Sequence, residues 1–112
     1  MRRLIFLFLC FLLYSCVSSS VVMKEMYTEY YAIAEQYNAN KNYGKALEYY
    51  NKAKGRAEFT NISTYKMAVI YAQTGDYESS AGLFQDLLEK DPHNSSLLAS
   101  LAYVYAKKGS YD

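Results

Sequence analysis

From residue 27 onward, apolar and small residues return at spacings of three and four, which is the period of a helix buried along one face. The same set then returns after 34 residues and after 34 more. Tyr37, Tyr71 and Tyr105 fall in register, as do Tyr43, Tyr77 and Tyr111, the small residues Ala34, Ala68 and Ala102, and the apolar residues Ile33, Met67 and Leu101. Gly75 and Gly109 also lie one period apart. A period of this length, with small and aromatic residues at fixed offsets, marks an array of stacked supersecondary units. Within residues 61–94, Met67, Ala68, Tyr71 and Ala72 form one helical stripe, and Gln73-Thr74-Gly75-Asp76 breaks it. Tyr77, Ala81, Phe84, Leu87 and Leu88 form a second stripe, with Asp76 placed to cap its start and Asp91-Pro92 to stop it. Each period is therefore expected to be an antiparallel helical hairpin, with helices over 27–39, 44–56, 62–74, 77–90 and 95–108. The Ala68 column lets paired helices approach closely, and the Tyr71 and Tyr77 columns fill the space beside it.

These columns resemble the tetratricopeptide repeat, whose unit runs aromatic, apolar, small, aromatic, a Gly-x-aromatic turn, small, aromatic, small and a final Pro. Residues 61–94 match it through Met67, Ala68, Tyr71, Gly75, Tyr77, Phe84 and Pro92, with Ser80 and Leu87 in place of alanines and Thr64 in place of the first aromatic. Residues 27–60 match through Tyr30, Ile33, Ala34, Tyr37, Tyr43, Ala46, Tyr50 and Ala53, with Lys41 at the turn glycine and Glu58 at the final proline. Residues 95–112 match in part, through Leu98, Leu101, Ala102, Tyr105, Gly109 and Tyr111. The resemblance implies an all-α fold, a right-handed superhelical α-solenoid of about two and a half repeats.

It also implies a concave face lined by the first helix of each unit. The groove positions are then Thr28, Tyr31, Glu35 and Asn38, next Ile62, Tyr65, Val69 and Ala72, and last Ser96, Ala99, Tyr103 and Ala106. Tyr31, Tyr65 and Tyr103 form an aromatic stripe suited to a protein or peptide ligand, because tyrosine offers contact area and a hydroxyl at low entropic cost. The family's Lys and Asn clamp for a C-terminal carboxylate is missing from these positions. Tyr30, Tyr37, Tyr43, Tyr50, Tyr71, Tyr77, Tyr105 and Tyr111 are expected in the core.

The N-terminal stretch has a different pattern. Arg2 and Arg3 precede an apolar run from Leu4 to Leu13, followed by Tyr14-Ser15-Cys16 and the polar Ser18-Ser19-Ser20. That basic, apolar, small-residue progression reads as a secretion signal over 1–15. Leu13-Tyr14-Ser15-Cys16 resembles a bacterial lipobox, departing from it at Tyr14. The resemblance implies lipidation of Cys16, a tether over 16–26 and the repeat domain over 27–112. The implied product is exported and lipid-anchored in the bacterial cell envelope, with Val17 after the cysteine favouring the outer membrane. Cys10 would leave with the signal, so no disulfide is expected.

Composition narrows the function classes. Twelve basic groups face eleven acidic ones, with no basic stripe for phosphates, so nucleic acid is not an expected partner. His93 is the only histidine and stands in a turn after Asp91-Pro92, with no partner for acid–base work. Asp76 with Glu78, and Glu89 with Asp91, sit at helix ends, where carboxylates cap or offset the helix dipole. No nucleophile elbow, phosphate loop or metal-ligand spacing occurs, so neither enzyme activity nor a cofactor or metal is expected. The reading is a lipid-anchored scaffold that binds a partner protein or peptide. The alternative is the N-terminal targeting and docking part of a longer enzyme or receptor. Leu101 and Tyr105 lack the helix that would cover them, so self-association through the last helix is a further expectation.

Overall fold

A computed structural model of the chain describes residues 1–111, apart from the side chains of Val17 and Tyr111. Five helices follow in order: α1 (Arg2–Ala39), α2 (Tyr43–Ala53), α3 (Ala57–Thr74), α4 (Tyr77–Lys90) and α5 (Ser95–Tyr111). Each packs on the next, and α3 also touches α1. The result is an all-α solenoid of helical hairpins, measuring 75 × 32 × 17 Å. Its long dimension comes from α1, whose 38 residues span roughly 57 Å at about 1.5 Å each.

The turns repeat as faithfully as the helices. Lys41 and Gly75, one period apart, both have left-handed backbones, with φ of 58° and 86°. Asn42 and Asp76 follow them, and their amides donate to the carbonyls of Tyr37 and Tyr71 at 2.9 Å in each case. Their side chains then cap the next helix, accepting from Lys45 N at 3.4 Å and from Ser79 N at 3.1 Å. Gly75 takes this conformation without steric cost, whereas Lys41 takes it against its own Cβ. Asn94 caps α5 in the same way, accepting from Leu97 N at 3.1 Å.

Two buried clusters hold the array. The first gathers Ala34, Ala46, Tyr50, Met67 and Ile70; the second gathers Ala68, Ala81, Phe84, Leu87, Leu97 and Val104. The small-residue column does what its position requires, since Ala34 and Ala68 are fully buried. Ser80, standing where the family has alanine, is also fully buried, and its hydroxyl donates to the Ala68 carbonyl at 2.7 Å. That bond satisfies a polar group which would otherwise be orphaned between two close helices. Tyr27, Tyr30, Tyr37 and Tyr49 form a chain of ring contacts, with centroids 5.7–6.2 Å apart, and Tyr37 and Tyr49 pack against the first cluster. Gly55 lets Tyr27 approach the α2–α3 turn, because a Cβ there would lie 2.8 Å from the ring.

Several expectations shift. α4 has the expected bounds, but α3 begins at Ala57 instead of residue 62 and α2 ends at Ala53 instead of 56. Glu58 favours the earlier start, because a carboxylate in the first turn offsets the helix dipole. The 16–26 stretch expected as a tether is helical and continuous with α1, in keeping with a sequence that has no glycine or proline before Gly44. Tyr105 leaves the expected core and is 46% exposed, because among the described residues no helix covers that face of α5. The Tyr111 side chain lies outside the described residues.

Candidate functional site

The register brings five groove positions together at the junction of the second and third units. Val69 and Ala72 from α3 face Ser96, Ala99 and Tyr103 from α5 across an open groove of roughly 430 Å³. Gln73, Phe84, Ser100 and Val104 complete its lining. Phe84 is held from α4, 2% exposed, with the Tyr65 ring edge-on to it at 6.0 Å. Tyr103 is 57% exposed, and the Lys107 ammonium lies 5.6 Å from its ring centroid. No charged side chain lines the groove. Alanine, serine and valine keep it open, while Gln73, the two serines and Tyr103 offer hydrogen-bonding groups above an apolar floor. Such a lining suits an uncharged segment with an apolar or aromatic side chain.

The equivalent place one unit earlier is filled. Glu35 accepts a hydrogen bond from the Tyr50 hydroxyl and pairs with the Lys66 ammonium at 3.2 Å. Tyr31 packs edge-on to Tyr50, centroids 5.7 Å apart, and stacks on Phe59 at 5.5 Å. Burial, and then the bond to Glu35, push the Tyr50 hydroxyl far above its ordinary range. Burial raises Tyr31 as well, with the Glu35 charge adding to it. For Glu35 itself burial pushes upward, but the bonds from Tyr50 and Lys66 outweigh it and hold the carboxyl below its usual value. Asn38 pulls the Tyr50 hydroxyl in the opposite direction, downward. Tyr31, Glu35 and Asn38 are thus brought together, as a closed polar node.

Of the expected tyrosine stripe, Tyr31 and Tyr65 are half-buried and Tyr103 is open. Cys16 is exposed within α1. His93 is exposed, and among the described residues no group of three or more His, Cys, Asp or Glu could hold a metal ion. Sequence reasoning missed Gln73, Phe84, Ser100 and Val104 as groove residues and Lys66 and Phe59 as node residues. The period itself carried a signal for half of them: moved by 34, Tyr50 becomes Phe84 and Lys66 becomes Ser100, just as Glu35 becomes Val69.

No protein-family model matches the chain. Among curated proteins it is 33% identical over 75 residues to the photosystem I assembly protein Ycf3 of Prochlorococcus marinus subsp. pastoris, covering 64% of this chain and 43% of that protein. It is 32% identical over 73 residues to the Ycf3 protein of a second Prochlorococcus marinus strain, covering 62% and 42%. The chain thus spans less than half the length of these relatives. They also correct the placement read from the N-terminus: they are photosystem I assembly proteins, not outer-membrane lipoproteins, and the assignment to an exported, lipid-anchored envelope protein is withdrawn. A basic-then-apolar pattern is common to a signal sequence and a retained apolar helix.

Proposed function

We propose that this chain is a non-enzymatic scaffold that holds a segment of a partner protein during the assembly of a larger complex. The observation that carries the reading is the uncharged groove at the second junction, where Val69, Ala72, Ser96, Ala99 and Tyr103 converge. Its relatives are assembly proteins for photosystem I, which supports the assembly role in kind without naming this chain's cargo. The bound segment lies along α3 and α5 with an apolar or aromatic side chain over Phe84, its backbone within reach of the Gln73, Ser96, Ser100 and Tyr103 side chains. Contact with the Tyr103 ring supplies area, and exclusion of charge from the lining rejects acidic and basic segments, which would lose hydration without gaining a partner. A peptide array probed with the full chain tests this. Uncharged peptides bearing aromatic or large apolar residues should bind the wild type, and Ala99→Arg should lose them with its melting temperature unchanged. Equal binding by both, or a preference for charged peptides, would overturn the proposal.

A further inference from the structure

We propose that residues 4–23 stay on the chain as a bilayer-spanning helix, and that α1 carries this span without a break into the first repeat. Four observations converge. Every large apolar side chain from Leu4 to Leu13 is 51–72% exposed. They cover the whole circumference of the helix, whereas a partner helix would need only one stripe; apolar surface on all sides calls for lipid. Next, no charged residue occurs from Leu4 to Met23, while Arg2 and Arg3 stand before the stretch and Lys24 and Glu25 after it. Twenty helical residues rise about 30 Å, the thickness of a hydrocarbon core.

The third observation concerns the serines that made this region look like a cleavage site. In lipid a hydroxyl must find its partner within the protein. The Ser18 hydroxyl donates to the Ser15 carbonyl at 3.1 Å and the Ser19 hydroxyl to the Cys16 carbonyl at 3.4 Å, so the helix itself accommodates them. Last, burial in the array begins at Met26 and Tyr27, within one helical turn of the last uncharged residue. The span therefore leads straight into packing contacts with the array, such as Tyr27 against Gly55 and Tyr30 against Tyr49 of α2.

This inference is independent of the groove reading, and its test involves no protein partner. The full chain with a C-terminal tag is expressed, membranes are washed with alkaline carbonate, and the mass of the retained chain is measured. The expected result is a carbonate-resistant chain whose mass includes residues 4–23. Cys16→Ser should be retained equally. Leu9→Arg combined with Leu12→Arg should move the chain to the supernatant with its helical circular dichroism intact, since neither position touches the core clusters. A mature chain lacking the first fifteen residues, with or without acyl groups on Cys16, would overturn the proposal. So would an intact chain released by carbonate, or an arginine double variant that remains in the pellet.

Discussion

The two junctions of the array differ in what occupies equivalent places. At the first, Glu35, Tyr50 and Lys66 tie together helices of successive units through a hydrogen bond and an ion pair. At the second, the same positions hold Val69, Phe84 and Ser100 and line an open groove. The core beneath is common to both: Ala34 and Ala68 are fully buried, and the edge-on pair of Tyr31 and Tyr50 recurs as Tyr65 and Phe84. A repeat protein can therefore hold its helix packing constant while neighbouring concave positions specialise, one for rigidity and the next for binding.

The strongest test separates floor from rim within the groove. Phe84→Ala should destabilise the array by about 3–5 kcal/mol, the usual cost of emptying a buried aromatic site. Tyr103→Ala should stay within about 0.5 kcal/mol, as an exposed substitution does, while weakening peptide binding. Denaturant titration of both variants checks the pair; similar losses would mean that Tyr103 belongs to the core. Smaller is the effect of crowding the small-residue column. Ala68→Leu should cost about 1–3 kcal/mol, and Ala102→Leu, in the same column but exposed, should cost much less. Equal melting shifts would break the claim that α5 presents an open face where α3 presents a closed one.

The node gives the first junction a pH dependence that the second lacks. Glu35 is held below its ordinary value of 4.5, so its stabilisation is fully present above that value and is lost as pH falls through the depressed one. Wild type should be more stable than Glu35→Gln at neutral pH, with the gap closing in acid below 4.5; the partial exposure of the pair keeps the difference small. Thermal melts of both proteins from pH 7 to pH 3 measure it, and a constant gap would remove the carboxylate from the account. The smallest expected effect lies in the first turn. Lys41→Gly relieves a left-handed non-glycine residue and should raise stability by up to about 1 kcal/mol, whereas Gly75→Ala should lower it.

The sequence pattern disclosed the columns, the hairpins and the caps because these are local or repeat at a fixed interval. Asp76 and the Asp91-Pro92 stop placed α4 on its observed bounds, since both act within one turn of the helix end. The node was not legible in the same way: Lys66 reaches Glu35 across 31 residues, and nothing local to either announces the pair. Lys41 and Ser80 were visible as departures from the family. How they are tolerated, by a strained turn and by a hydrogen bond to Ala68, depends on backbone geometry. The continuous α1 was concealed by its composition, because serines that resemble a cleavage region are also accommodated in a helix by bonding back to the carbonyls three residues earlier.

The most direct test of the central claim is a nuclear magnetic resonance titration of the full chain in micelles with an uncharged, aromatic-containing peptide taken from the array. Amide shifts should saturate at Val69, Ala72, Ala99 and Tyr103 while Tyr31, Glu35 and Lys66 hold still. Shifts at the first junction, or shifts spread evenly over both, would contradict it.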